Sequence, residues 1–449
     1  MSHSTTPRVV TDLPGPESKR IFDRQNQVFY TQMHEGVTCP FVLDHKSADG
    51  LLHDVDGNTF ANHMSAWGAA PYGPFPAEVR TATTAAWDRY GMEISCFLQS
   101  EPVVQLAERL VDLAPKGITR VAPTVTGTEA VEGAIKLARE HTGRPMILSF
   151  LGQYHGESTY LAASTSTELA SLTTGSAPYA PGLVFAPYPS SYRPPFPGGP
   201  GPHDDLAVID YIEQWLLRHQ VEATQIAGVL IEPIAGELGV YAPSQEFWDA
   251  LTALSRRHGW VLICDEVQSG MGRSGPIWAG DLWGVEPDLL LVGKGLSAGG
   301  QPMAAILGTD AIMAETSVHT TGTYVWEPAA VAGALAGLDL LDDARANAMV
   351  LQEIGRATLG ALVHQHPRVG DYRQYGAWGA LEFVHDKDSK RPDNDTQSAF
   401  HQAALRRGVF AISFPEKWVY RLQPELTMDP DLFAWSCERL VEAASEVMG

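Results

Sequence analysis

Cysteine, positive charge and long apolar runs are all scarce in this chain of 449 residues. Its cysteines, Cys39, Cys96, Cys264 and Cys437, lie far apart, with no Cys-x-x-Cys pair and no histidines clustered around them. That spacing supports neither a disulfide framework nor a structural zinc site, and leaves four buried or partly buried thiols as the expectation. Only 31 lysines and arginines stand against 53 acidic residues, a formal charge of −22. Such a surplus repels phosphate backbones and anionic lipid heads within a Debye length, so neither nucleic acid nor a membrane is an expected partner, and a small molecule is. The richest apolar stretch, Ala329–Gly337, falls well short of the roughly 18 residues of a spanning helix. The opening Met-Ser-His-Ser-Thr-Thr-Pro-Arg lacks the apolar centre of a secretion signal, which makes the cytoplasm the expected location.

What is present is the balance of a globular chain, 44% hydrophobic and 19% charged. Its length suggests two or three packed units. Residues 1 to about 75 read as loop-rich, with one short strand pair suggested by Gly50–Thr59. From about residue 100 helical periodicity alternates with short apolar runs. Helices are expected over Val104–Leu113, Glu129–Glu140, Asp205–Leu217 and Gln245–Arg257. Strands are expected over Thr119–Val125, Pro145–Phe150, Ile226–Glu232, Trp260–Asp265, Leu289–Val292 and Met303–Gly308. Apolar runs without alternation belong to strands covered on both faces, so the fold class is α/β, a mostly parallel sheet between helices. Pro187–Pro202 holds too many ring-locked residues for a central strand. Past about Ala329 come two long helices, Ala329–Leu341 and Ala348–His364. A mixed unit follows, with strands Gly376–Val384, Val409–Ser413 and Trp418–Leu422 and helices Thr396–Arg407 and Pro430–Val447. These predict a second, smaller α+β domain.

Ligands of parallel sheets sit beyond the carboxyl ends of the strands. Three such ends carry unusual residues. Thr126-Gly127-Thr128-Glu129 opens a helix with small residues, as a phosphate cradle would, although a plain N-cap explains it equally well. Asp265 follows four apolar residues, where a carboxylate calls for a positive partner or a loop-capping role. Lys294 stands between glycines at the mouth of a buried strand, placed either to form a Schiff base or to snorkel to the surface. A phosphate anchor, an acid for a pyridinium nitrogen and an amine for an aldehyde are together what pyridoxal 5′-phosphate needs. Tyr154-His155-Gly156, past the strand at 145–150, adds a flat ring that can stack on it.

On these residues, with the run Asp265–Gly275 and the Gly-Lys-Gly at Lys294 as its specific part, the chain resembles the class III aminotransferases of the fold-type I pyridoxal phosphate enzymes over nearly its whole length. The opening Thr11-Asp-Leu-Pro-Gly-Pro-Glu-Ser-Lys is similar to 4-aminobutyrate aminotransferase relatives. The resemblance implies a large cofactor-binding domain with a seven-stranded type of sheet over residues 76–335. It also implies a small α+β domain over 336–449 and an N-terminal segment, 1–75, that packs with the small one. It implies that Lys294 holds the cofactor as a Schiff base and shuttles the proton, and that Asp265 pairs with the ring nitrogen. Gly127 and Thr128 would hold the phosphate, Tyr154 would cover one ring face, Val267 the other, and Gln268 would reach the phenolic oxygen. A threonine of the neighbouring subunit, matched here by Thr323 in a crowd with Thr320 and Thr321, implies a homodimer with shared active sites.

For the substrate, Ile231-Glu-Pro-Ile-Ala-Gly-Glu237 and Arg421 resemble the family's Glu-Pro segment and its carboxylate-binding arginine. Glu237 and Arg421 are the expected selectors, with a structural ion pair as the competing reading. Two departures stand out. Glu157 occupies the place of the arginine that grips a distal carboxylate, and Tyr324-Val-Trp-Glu-Pro328 replaces a small Gly-Asn-Pro. Ser65–Ala70 and Pro187–Pro194 resemble amino-acid racemases of the same family, with Trp67 either a pocket wall or a core residue. The expected reaction moves an amino group from an amine or amino acid to a 2-oxo acid in a ping-pong cycle. Racemisation on the same carbanion is the alternative.

Overall fold

The computed structural model describes residues 6–29, 39–47, 50–95, 97–167, 178–196, 205–411, 413 and 417–449. Cys96 and the far end of the Pro187–Pro202 segment lie outside them. In chain order the strands are β1 (Leu43–Lys46), β2 (Leu51–Asp54), β3 (Thr59–His63), β4 (Ile118–Thr124), β5 (Met146–Leu151), β6 (Leu183–Pro187) and β7 (Ile226–Ile231). They continue as β8 (Val261–Asp265), β9 (Leu289–Val292), β10 (Ala304–Thr309), β11 (Val369–Tyr375), β12 (Trp378–Phe383), β13 (Val409–Ala411) and β14 (Val419–Leu422). They fall into two compact units, Ala77–Leu341 and the pair of segments Met1–Pro76 and Asp342–Gly449.

The first unit is built on a seven-stranded sheet of order β4-β10-β9-β8-β7-β5-β6. From β6 to β9 every pairing is parallel, and β10 runs against both β9 and β4. The apolar runs fill both faces because successive side chains alternate. Val229 and Leu262 pack with Phe247, Trp248 and Leu251 of helix Gln245–His258. Leu230 and Ile263 pack with Ala134, Ile135 and Ala138 of helix Gly127–Thr142 on the other face. β7, β8 and β9 are buried at every position. The expected α/β sheet is therefore observed, with three additions. The segment Leu183–Pro187, for which no strand was expected, is the edge strand β6, and it tolerates Pro187 at its end because only β5 pairs with it. A helix not anticipated from the sequence runs over Ala77–Tyr90. The helix expected over 205–217 is α-helical over Leu206–Tyr211 and π-helical over Ile212–Leu216.

The second unit holds two sheets, β1-β2-β3-β13 and the antiparallel β11-β12-β14, with long helices Asn394–Arg406 and Pro430–Met448. Here the loop-rich expectation for the opening residues fails. A helix spans Pro16–Val28 and has no side-chain cap of its own. Asp56, from the turn between β2 and β3, accepts from the N–H groups of Glu17 and Ser18 at 2.7 and 2.9 Å. A carboxylate at a helix start both satisfies orphan donors and complements the dipole. The single strand expected over Gly376–Val384 is one arm of a hairpin, β11 with β12. No described helix is long and apolar enough to cross a membrane.

Candidate active site

Since β4, β9, β8, β7 and β5 all run the same way, the residues that follow them share one edge of the sheet. That edge gathers Thr126–Thr128, Lys294, Asp265–Gln268, Glu232 and Tyr154–Gly156, in sheet order.

The helix after β4 begins at Gly127, with Thr126 as its N-cap. Thr126 Oγ1 accepts from Glu129 N at 3.2 Å, while the Glu129 carboxylate accepts from Val125 N and Thr126 N at 2.8 and 3.2 Å. This reciprocal cap leaves the N–H groups of Gly127 and Thr128 without an acceptor among the described residues, at the positive end of a helix of 16 residues. Gly127 also has to be small: a Cβ there would come within 2.8 and 3.0 Å of the two Val267 methyl groups. On its other side Val267 faces Gly293, whose absent Cβ would be 3.2 Å away. Val267 is thus wedged between the turns that follow β4 and β9. Gly156 lies as close to Thr128, with 2.8 Å between its absent Cβ and the threonine's Cβ. The loop after β5 is thereby brought against the helix start.

Asp265 ends β8 and is 4% exposed. Its Oδ1 accepts from Val267 N at 3.1 Å, and its Oδ2 pairs with His155 Nδ1 at 2.7 Å. An ionised carboxylate only accepts, so the proton of that bond sits on the imidazole. His155 is held in turn by its own N–H, which donates to Ser166 Oγ at 2.8 Å, while Ser166 Oγ donates to Gly156 O at 2.6 Å. The buried His155 Nε2 meets no partner among the described residues. The next residue, Glu266, ties down the loop that follows by accepting from Ser269 Oγ, Ala279 N and Gly280 N at 2.6, 2.9 and 2.7 Å. Gln268, in the same loop, is buried.

Lys294 follows β9 with φ of 34°, a left-handed conformation that costs a non-glycine residue about 1 kcal/mol or more. Strain of that kind is retained where a side chain must be aimed. Glu232, at the end of β7, accepts from Tyr154 N and Gly236 N at 2.8 and 3.0 Å. Burial and the neighbouring Asp265 carboxylate push its carboxyl up to about 8, against the pull of the two N–H groups and of the Lys294 charge.

Of the expected cofactor residues, Gly127, Thr128, Tyr154, Val267, Gln268 and Lys294 follow strands that end on this edge, and Asp265 is the last residue of one. Glu237 belongs to the same unit, nearly buried in the short helix Gly236–Gly239. Of the three crowded threonines, Thr320 donates to Pro123 O at 3.2 Å within its own chain, whereas Thr321 and Thr323 are exposed. Trp67 and Arg421 lie in the other unit. Trp67 sits in a turn, Ser65–Gly68, whose four residues all have positive φ. Asn62 Oδ1 accepts from Met64 N and Ser65 N at the start of that turn, at 3.1 and 3.3 Å. Arg421 is buried on β14 opposite Ala380 of β12. The roles of His155 and Glu232 were missed. Both stand in motifs the sequence reading quoted, but their partners are 110 and 78 positions away.

Three features fit pyridoxal 5′-phosphate. A cradle too tight for a Cβ at Gly127 adjoins free N–H groups, an anchored buried aspartate lies three strands away, and a lysine stands between them.

Residues 32–444 match the family model described as Aminotransferase class-III. The chain is 32% identical over 422 residues to the 4-aminobutyrate aminotransferase of Escherichia coli strain K12, covering 92% of this chain and 95% of that protein. It is 29% identical over 449 residues to the alanine/serine racemase of Pyrococcus horikoshii, covering 98% of this chain and 93% of that one. Among solved structures, an amine transaminase from an uncultivated Pseudomonas species in its PLP-bound form is similar with a TM-score of 0.83 and 27% identity, covering 93% of this chain and 98% of that one.

Proposed function

We propose, on the premise that this chain belongs to the class III aminotransferases, that it moves an amino group from an amine or amino acid to a 2-oxo acid in two half-reactions at the edge that carries Lys294 and Asp265. The cofactor of the family is pyridoxal 5′-phosphate. When bound, it supplies an aldehyde that condenses with amines and a ring that takes up the electrons left when a proton leaves the substrate carbon. The chain's residues supply the rest. Gly127 and Thr128 offer backbone N–H groups to the phosphate. Lys294 Nζ would hold the aldehyde and is placed to carry the proton. Asp265, fixed by His155 and Val267 N, would keep a proton on the ring nitrogen. Val267 and Tyr154 would confine the ring, and Gln268 would reach its phenolic oxygen. The observation that carries this reading is the convergence of the anchored Asp265 and the left-handed Lys294 on the edge where the Gly127 helix starts.

Glu237 and Arg421 are assigned to substrate selection, and Trp67 to an apolar wall. Glu157, where relatives grip a distal carboxylate with arginine, favours donors with a neutral distal group. We assign the working state to a homodimer. In the single chain Phe97 is 82% and Tyr324 66% exposed. Beside them in sequence, Ser95, Gln99, Val325 and Trp326 line a groove of about 350 Å³. Apolar exposure of this kind calls for a partner surface. Thr323, exposed in one chain, is then free to complete the phosphate site of a second. The two compact units correspond in this reading to the family's large and small domains.

The full-length likeness to a racemase favours a second reading, in which the proton returns to the substrate carbon. Incubating the protein with single-enantiomer amines and amino acids, with and without 2-oxo acids, in D2O separates the two. Amino transfer predicts ketone or aldehyde product only when a 2-oxo acid is present. Inversion of one enantiomer with deuterium uptake and no acceptor would establish racemisation instead.

A further inference from the structure

Glu232 is a buried polar group at this edge to which the family assignment gives no task. It is 5% exposed at the end of β7, and each of its carboxylate oxygens faces a different loop. Oε1 accepts from the N–H of Tyr154, in the loop after β5, at 2.8 Å. Oε2 accepts from the N–H of Gly236, the first residue of the turn Gly236–Gly239, at 3.0 Å. A second contact joins the same two segments. Gly152, two residues before Tyr154, lies so near Leu238 that a Cβ would come within 2.7 Å of the leucine Cδ1. Glu232 is itself fixed from a third strand, since the Tyr188 hydroxyl, just past β6, donates to its backbone oxygen at 3.0 Å.

We propose that Glu232 is a positioning residue that locks the Tyr154 loop to the turn bearing Glu237, so that the ring covering the cofactor and the carboxylate choosing the substrate are set by one side chain. The proposal rests on the aminotransferase reading for what Tyr154 and Glu237 do, whereas the lock is a property of the chain. Only a side chain of this length with two acceptor oxygens spans both donors. Aspartate is one methylene short, and glutamine turns an NH2 group against one of the two N–H groups. Losing such a bond inside a buried site leaves a donor unsatisfied and frees its loop to open.

The test is residue-resolved amide hydrogen exchange on the full-length protein as purified, for wild type and Glu232→Gln. In the wild type, the Tyr154 and Gly236 amides exchange far more slowly than free-chain amides. In Glu232→Gln at least one of them exchanges about tenfold faster or more, the factor carried by roughly one net hydrogen bond. Amides within the helix Gly127–Thr142 keep their wild-type rates. In steady state the variant loses kcat together with discrimination between donors, while the Lys294-dependent absorbance persists. Unchanged exchange at both amides in the variant overturns the proposal, as does free-chain exchange at either amide in the wild type. The wild-type measurement decides even where the variant fails to fold. Absence of any Lys294-dependent absorbance in the wild type would sink the cofactor reading instead, and would leave the exchange result standing.

Discussion

Replacing Lys294 with alanine removes the visible absorbance of the protein loaded with pyridoxal 5′-phosphate and lowers turnover by about 10⁴-fold, the upper end of what a positioned acid–base group contributes. Lys294 is the one amine in the sequence that sits between two glycines at the mouth of a buried strand. The alanine loses both the covalent anchor and the proton carrier, but meets the same backbone, because the 34° φ is set by the chain around it. The melting temperature of the cofactor-free variant therefore stays close to wild type. Absorbance and circular dichroism measured on one sample separate a lost function from a lost fold. A variant that retained the visible band would place the anchoring amine elsewhere.

Asp265→Asn is the second large effect, with turnover expected to fall by about 100-fold or more, the scale of removing one preorganised charge-stabilising contact. The asparagine fits the space, since its oxygen can still accept from His155 Nδ1 or Val267 N. What it lacks is the negative charge that keeps a pyridine nitrogen protonated, and a ring without that proton is a poorer electron sink. Lys294 still reacts with the aldehyde, so the variant keeps a visible band, and kcat falls while its cofactor content holds. A fall confined to cofactor affinity, with kcat intact, would mean that Asp265 only binds.

The two variants probe residues that were legible in the sequence, and the reason they were legible is physical. Strands β7, β8 and β9 are buried on both faces, so their apolar runs are uninterrupted, and the first polar residue past each stands out. Asp265, Lys294 and the Glu-Pro segment were found that way. β6 escaped because it is an edge strand with alternating burial and a proline at its end. The helix Pro16–Val28 escaped because its cap is Asp56, roughly 40 positions away and on a turn between strands. β11 escaped because Val369-Gly-Asp-Tyr-Arg-Gln-Tyr is mostly polar and only half buried. The same limit applied at the site. His155 was read as a neighbour of Tyr154, and Glu232 as part of a motif. Their work depends on β5 and β8 flanking β7, an adjacency set by the whole sheet.

The account rests on one covalent claim, which is tested most directly by reducing the cofactor-loaded protein with borohydride, digesting it and locating the added pyridoxyl group by mass spectrometry. The account predicts a single modified peptide carrying the group on Lys294 Nζ. A group found on another lysine, or no incorporation by protein that is folded and supplied with the cofactor, would contradict it.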